Sequence, residues 1–334
     1  MKKLSFGIII FILAVSALGN TYNIDAYGTG DYTTIQAAVD AARAGDVIVL
    51  QPGTYSGEGN RNIDYQGKDI TIRSVEPDNP GSVQETIIDC YSSEYEQNRA
   101  FIFQSGETEY SVVTGITIQN GYLEEGGGAI LCTNSSSPTI DNCIFRNCIA
   151  YLGSGGGAIA CMNYSNPIII NCIFAHNESK YSIGGAIVSR NSSSRIENCI
   201  FKDNKSSNGG GAIYLYRGNV IILGCELSDN EVGEGMANGG AVLAIDCNLI
   251  IERCDIFNNT IAENSTGRGG GLSISGCTAK IVDSNIGLNQ AYEGGGIYCT
   301  NYTSTNYTRI RIERCLINKN SASLSEKIWR RNGL

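Results

Sequence analysis

The 334-residue chain combines 41 glycines and 13 cysteines with a single histidine, and only 17% of its residues are charged. A hydrophobic fraction of 42% supplies enough apolar material for a core and excludes a disordered chain. The net charge of −9 argues against nucleic acid and anionic membranes as partners, because both are themselves negatively charged.

The N-terminus has the pattern of an export signal. Lys2 and Lys3 precede an apolar run over residues 4–18, and cleavage fits after Ala17 or after Gly19. The run is shorter than a membrane-spanning helix requires. We therefore predict a signal peptide over residues 1–19, a protein that is not integral to the membrane once processed, and an extracellular or cell-surface location. An uncleaved anchor is the alternative.

Residues 20–110 are predicted to form a cap and the first, irregular coils of a solenoid. Thr33 and Gln36 have capping-box spacing, and apolar residues from Ile35 to Ala42 recur with helical period. A strand is expected over residues 47–50, a turn at Pro52-Gly53, and further strands over residues 69–75, 86–89 and 101–104. The helix would cover the open edge of the first coil.

From residue 111 the chain repeats about every 28 residues. One phrase is Gly-Gly-x-apolar, as in Gly156 to Ile159, and the other is Cys-x-apolar-x-x-Asn, as in Cys172 to Asn177. Aligned on the cysteine, apolar and polar columns alternate as they do in strands. Gly115 begins an earlier, degenerate copy in this alignment, with Val112, Thr117 and Asn120 in the matching columns.

The aligned asparagines predict an asparagine ladder, since stacked amides hydrogen-bond from coil to coil. The fold is therefore predicted to be all-β: a single-stranded right-handed parallel β-helix, or solenoid, with a short N-terminal capping helix. Its regular coils should span residues 111–320. Over residues 321–334, either a short tail caps the last coil or the chain is truncated.

Thirteen cysteines cannot all pair within one chain. Stacked cysteines of successive coils would lie about 4.8 Å apart, farther than a disulfide prefers, so buried thiols are expected. Oxidation of pairs such as Cys143 with Cys148 is the alternative. The spacings do not match a zinc site, and no metal site is assigned.

Segments of variable length lie along one edge of the repeat, where solenoids usually bind partners. They carry candidate binding residues suited to the flat faces of sugar rings. These are Tyr122, Glu124, Tyr151, Tyr181 and Tyr292.

Another column holds the candidate catalytic residues His176, Asp203 and Asp229 on consecutive coils. Stacking would bring the two carboxylates to about 5 Å, a separation that suits glycosidic chemistry or calcium binding. The same column holds Asn147, Asn258, Leu288 and Lys319, as a solvated turn would.

The paired phrases Gly156 to Ile159 and Phe174 to Asn177 resemble the repeats of chlamydial polymorphic outer membrane proteins. Residues 31–55 resemble the start of secreted pectate-lyase-like β-helix proteins. The first resemblance implies surface display and adhesion. The second implies polysaccharide cleavage by an Arg or Lys base with Ca²⁺ held by stacked acids, but no Arg-x-Pro-x-x-Arg motif is found.

Two functional hypotheses follow. The preferred one is a non-catalytic, monomeric, secreted or cell-surface protein that binds a polysaccharide or cell-surface glycan through its loop-lined edge and needs no cofactor. The alternative is a polysaccharide lyase or glycoside hydrolase, with Ca²⁺ as cofactor if it is a lyase. A structural spacer in the cell envelope is a third possibility.

Overall fold

The computed structural model describes residues 19–233, 237–301 and 307–324. The predicted signal peptide, apart from residue 19, and most of the predicted tail lie outside these ranges. Over the described ranges the chain forms a parallel β-solenoid, and each regular coil passes through four sheets in the order A, B, C, D. The all-β solenoid agrees with the prediction.

Sheets A and B carry most of the strands. Sheet A has eleven: Thr21–Ile24, Val47–Leu50, Thr71–Ser74, Val112–Thr114, Thr139–Asp141, Ile168–Ile170, Arg195–Glu197, Asn219–Leu223, Asn248–Glu252, Thr278–Val282 and Arg309–Glu313. Sheet B has ten: Gly53–Tyr55, Thr86–Asp89, Thr117–Gln119, Ile144–Arg146, Ile173–Ala175, Ile200–Lys202, Glu226–Ser228, Asp255–Phe257, Asn285–Gly287 and Leu316–Asn318.

Sheets C and D complete each coil. Sheet C has eight two-residue strands: Tyr122–Leu123, Ile149–Ala150, Glu178–Ser179, Lys205–Ser206, Glu231–Val232, Thr260–Ile261, Gln290–Ala291 and Ser321–Ala322. Sheet D has nine strands: Ile63–Asp64, Phe101–Phe103, Ile130–Cys132, Ile159–Met162, Ile187–Arg190, Ile213–Tyr216, Val242–Ile245, Leu272–Ser275 and Ile297–Thr300.

The described part of the chain contains two helices, Ile35–Ala41 and Pro80–Glu85. The first helix buries Ile35, Ala38 and Val39 and contacts the first strands of sheets A and D. The expected N-cap at Thr33 is wrong by one residue, because Thr34 Oγ1 accepts the bond from the Ala37 N–H at 3.2 Å. Gln36 does not close a capping box, since its amide bonds the backbone of Asp64 in the next coil.

Two further expectations near the N-terminus need correction. The turn placed at Pro52 is followed at once by the strand Gly53–Tyr55, which pairs with Thr86–Asp89. The alignment of the first regular coil is shifted by one residue, because Val113 pairs with Ile140 and Ile118 pairs with Phe145. Gly115, with φ of +70°, takes the left-handed corner of Asn142, so Asn120 aligns with Asn147 and lies outside the asparagine column.

Like side chains stack along the inside of the solenoid. Phe145, Phe174 and Phe201 are fully buried, and their rings are nearly parallel with centroids 4.8 and 4.7 Å apart. This separation equals the spacing of neighbouring strands, so the rings repeat with the backbone. The apolar columns are thereby continuous from coil to coil.

The cysteine column lies at the corner between sheets A and B. The thiols of Cys143, Cys172 and Cys199 each contact the carbonyl oxygen two residues earlier, at 3.1 to 3.2 Å. Ser284 takes the same position and donates to Val282 O at 2.8 Å. The column therefore selects a small side chain that is also a hydrogen-bond donor. All thirteen cysteines are free thiols, and this includes Cys143 and Cys148.

A buried row of asparagines joins successive coils between sheets B and C. Asn230 is typical: its Nδ2 donates to Phe201 O at 3.0 Å and to Asn259 Oδ1 at 2.9 Å. Its Oδ1 accepts from the backbone N–H and the amide of Asn204, at 3.1 and 3.0 Å. The row satisfies backbone groups that the turn would leave unpaired inside the core.

Glycine is required where sheet C turns into sheet D. A Cβ atom on Gly211 would lie 2.1 Å from Gly240 O, a contact that the backbone itself prevents. The repeated Gly-Gly phrase is thus steric in origin, because the corner touches the next coil and the neighbouring sheet.

Replacing Asn230 with alanine should lower the free energy of unfolding by about 2–4 kcal/mol, because buried backbone groups lose their partners. Urea denaturation followed by circular dichroism measures this change. Asn248→Ala is the matched control, since the Asn248 amide is exposed and bonds only Asn219 Oδ1. Equal midpoints for the two variants would contradict the structural role of the row.

Thiol labelling should separate the cysteines by burial. Burial raises the pKa of the Cys90 thiol well above its usual value and that of Cys148 to about 12, which suppresses the reactive thiolate. Only Cys299 and Cys315 are half-exposed. We expect at most these two to react rapidly with Ellman's reagent at pH 8, and all thirteen after unfolding in guanidinium. The double variant Cys299→Ser/Cys315→Ser should lose the rapid phase of the reaction. Fewer than thirteen reactive thiols in the unfolded wild-type protein would reveal disulfides.

Candidate functional site

A cleft of about 610 Å³ opens beside the first strand of sheet C. A loop over residues 91–97 forms one wall, and the coils of residues 120–149 form the other. The lining combines aromatic, hydroxyl, amide and acidic side chains. These residues are Tyr91, Ser92, Ser93, Glu96, Asn120, Gly121, Tyr122, Asn147 and Ile149.

The loop is tied to the solenoid at both ends. Near its start, the Ser92 N–H donates to Asn120 O at 3.1 Å. At its end, Gln97 Oε1 accepts from the Glu124 N–H at 3.0 Å. Glu96 forms an ion pair with Arg61 from the preceding coil. These bonds hold the cleft open in the free protein.

Three predicted binding residues meet at one end of the cleft. The rings of Tyr122 and Tyr151 have centroids 5.9 Å apart, and those of Tyr151 and Tyr181 are 5.1 Å apart and nearly perpendicular. Exposure rises along this tyrosine row, from 8% for Tyr122 to 60% for Tyr181. The row therefore extends the aromatic surface of the cleft outward across three coils.

Glutamates lie close enough to influence the tyrosine hydroxyls. Burial is the main cause of the raised pKa of Tyr122, and the charges of Tyr151, Glu94 and Glu124 add to it. The pKa of Tyr151 is raised first by Tyr181, through charge and a hydrogen bond, and further by burial, Glu94 and Glu124. Near neutral pH the hydroxyls therefore stay protonated and able to donate hydrogen bonds.

The remaining predicted binding residues differ in their relation to the row. Glu124 is exposed and adjoins it, as expected. Tyr292 does not join it, because its strand lies four strands beyond that of Tyr181 in sheet C. That is about 19 Å along the solenoid axis.

His176, Asp203 and Asp229 occupy one turn between sheets B and C. Each has positive φ, between +54° and +56°, as do their neighbours Asn147 and Asn258. Asparagine, aspartate and histidine adopt this left-handed conformation more readily than most residues. The backbone thus accounts for the asparagine, aspartate and histidine of the column, although Leu288 and Lys319 share its positive φ. A catalytic role for the three stays an untested prediction.

The carboxylates of this column would supply only part of a calcium site. Calcium takes six to eight oxygen ligands, whereas Asp203 and Asp229 supply two carboxylates beside His176 and Asn258. Across the described residues, no group of three or more His, Cys, Asp or Glu side chains is placed to hold a metal ion. Within the same ranges no helix has the length and apolar character needed to cross a bilayer.

Comparison with known families agrees with this geometry. The sequence matches the right handed beta helix region family over residues 81–233 and 182–326, which is most of the chain. The chain belongs to this family. A search of curated proteins finds no significant match. The family assignment supplies the handedness and confirms the predicted right-handed parallel β-helix.

Several solved structures are similar to this chain. The pectate lyase Pel9A is 16% identical with a TM-score of 0.50, covering 92% of this chain and 78% of its own. A pectin methylesterase from Aspergillus niger is 14% identical with a TM-score of 0.45, covering 93% and 90%. A rhamnogalacturonan lyase is 12% identical with a TM-score of 0.38, with the same two coverages. At these identities the likeness concerns the fold alone.

No repeat or motif in the sequence predicts the loop wall of the cleft. Residues 91–97 match no repeat and were included among the irregular first coils. Their one visible signal is the density of tyrosine and glutamate in the segment Tyr91-Ser-Ser-Glu-Tyr-Glu. The repeat predicts Asn120 and Asn147 only as turn residues, and the structure shows that both also line the cleft.

Asp203 offers a direct test of the turn interpretation. We expect Asp203→Asn to leave the urea midpoint unchanged, because asparagine occupies this turn in other coils. Asp203→Val should cost about 1–2 kcal/mol, since a β-branched residue is strained at positive φ. Absorbance of unsaturated products from uronate polysaccharides is followed in parallel. Turnover that disappears in Asp203→Asn would instead support catalysis.

Proposed function

We propose that this chain is a non-catalytic glycan-binding β-helix and that the cleft with its tyrosine row is the binding surface. The observation that carries the proposal is the contact between Tyr122, Tyr151 and Tyr181 along three coils, directly beside a cleft lined by both polar and apolar groups. Aromatic faces pack against the C–H faces of sugar rings, while hydroxyl and amide groups bond sugar hydroxyls.

The parts of the site divide this work. Tyr181, the most exposed ring, offers a platform for one sugar, and the half-buried Tyr151 continues the surface toward the cleft. Inside the cleft, Ser93 and Asn147 present polar side chains to the sugar hydroxyls. Because hydrogen bonds fix the loop in advance, little conformational entropy is lost when a chain of sugars binds.

We further propose that the protein works outside the cell or at its surface as a monomer. The predicted signal peptide supports this location, and the acidic charge disfavours nucleic acid. The partner would be a polysaccharide or a cell-surface glycan. No cofactor is needed for binding of this kind.

The alternative function is a polysaccharide lyase or glycoside hydrolase. Two features favour it: the fold shared with pectate lyase Pel9A, and the adjacent carboxylates of Asp203 and Asp229. This fold carries many chemistries, so the likeness does not select one. Release of reducing ends or unsaturated products from any polysaccharide by the wild-type protein would favour the alternative.

Removing the outer ring tests the proposed site. We expect Tyr181→Ala to weaken oligosaccharide binding about tenfold, because the binding free energy of one aromatic contact corresponds to roughly that change in affinity. Isothermal titration with cellohexaose, xylohexaose, mannohexaose and hexagalacturonate measures the effect. Tyr110→Ala is the control, because Tyr110 is similarly exposed at 68% and belongs neither to the tyrosine row nor to the cleft lining. Equal losses of oligosaccharide affinity in the two variants, or no binding of any oligosaccharide to the wild-type protein, would refute the proposal.

A further inference from the structure

We infer that the cleft selects uncharged glycans and rejects polyuronates, because unpaired carboxylates lie beside its tyrosine row. This inference rests on the proposed function and names its ligand class. A polyuronate carries a carboxylate on every sugar, whereas a neutral glycan presents only hydroxyls and C–H faces. The charge around the cleft therefore separates the two classes.

Two glutamates supply the uncompensated charge. Glu94 lies on the loop wall and Glu124 follows the sheet C strand of Tyr122, and both are exposed. Neither forms an ion pair with any described residue. Glu96 differs from them, since it pairs with Arg61. The charges of both glutamates add to the raised pKa of Tyr122, behind burial and Tyr151, and to that of Tyr151, behind Tyr181 and burial.

A third carboxylate lies at the sheet B side of the site. Asp89 accepts hydrogen bonds from the amides of Gln119, at 2.7 Å, and Asn120, at 3.1 Å. These partners are neutral and orient the carboxylate, while the other end of the Gln119 amide accepts from the Arg146 guanidinium, so one cation lies beyond the same side chain. Asn120 is itself part of the cleft lining, which puts this charge directly behind the wall.

Two of the nearby arginines, Arg61 and Arg99, are paired or buried. Arg61 bonds Cys90 O at 3.1 Å in addition to Glu96. The Arg146 guanidinium donates to Gln119 Oε1 at 2.8 Å. Arg99 is only 6% exposed, and burial lowers its pKa to about 10. Lys180 precedes Tyr181 at the outer end of the row and forms no ion pair with any described residue. A uronate would meet this cation at Tyr181, and the carboxylates of Glu94 and Glu124 nearer the cleft.

The net charge of −9 adds a longer-range repulsion against any polyanion. Both repulsions act through solvent, so dissolved salt should screen them. The screening length is about 10 Å at 0.1 M salt. Neutral glycans experience neither. Selectivity between the two classes should therefore fall as the salt concentration rises.

The experiment compares neutral hexaoses with hexagalacturonate by isothermal titration at low and high salt, with a chelator present to exclude calcium bridging. In the wild-type protein a neutral hexaose should bind at least about tenfold more tightly than hexagalacturonate at low salt. The variant Glu94→Gln/Glu124→Gln should strengthen hexagalacturonate binding about tenfold and change neutral binding less than twofold. High salt should reduce the difference between the variant and the wild type.

Glu58→Gln/Glu109→Gln is the matched control, because it changes the net charge equally at exposed sites outside the cleft lining. If it strengthens hexagalacturonate binding as much as the cleft variant does, selection by the cleft is wrong. Tighter binding of hexagalacturonate by the wild type, lost in Tyr181→Ala, would overturn the charge selection while the proposed site stands. No binding of any hexaose would remove the proposed function and this inference together.

Discussion

Hydrogen bonds between successive coils, and not within any one strand, are the interaction on which this structure depends. Each strand pairs in register with the strand one coil before and one coil after it. A position in one coil therefore shares its surroundings with the same position in the next. This constraint explains why columns of phenylalanine, asparagine and cysteine persist, and why Ser284 can replace a cysteine by making the same bond to a carbonyl.

The candidate site lies where this repetition is interrupted. Sheet C begins only at Tyr122–Leu123, and in the preceding coil the loop of residues 91–97 takes its place. A single antiparallel bridge between Asn98 and Tyr122 joins this loop to the sheet. The loop cannot continue the stack, so it stands away from the coils and leaves a cleft. The regular coils supply the tyrosine row, and the irregular one supplies the opposing wall.

The sequence predicts the repeating parts of the molecule because each column is sampled many times. The buried positions of Cys172 and Phe174 follow from their copies. A position sampled once is harder to place: Gly115 aligns with the cysteine column in sequence, yet the strand pairing and its positive φ put it one position earlier. The link from Gln97 to Glu124 joins segments without common periodicity, so no pattern announces it. The variable segments predict that Tyr292 lies on the same edge of the solenoid as the tyrosine row. They do not predict how far apart these tyrosines lie along the solenoid axis.

Because the four-sheet coil repeats, the length of the solenoid can change without changing the proposed binding surface. The tyrosine row and the cleft are built from residues before 182, whereas later coils repeat the same cross-section without contributing to either. Gain or loss of one such coil would change the reach of the solenoid by about 4.8 Å and leave the site untouched. The number of coils beyond the site would then set the distance between the binding surface and the far end of the solenoid.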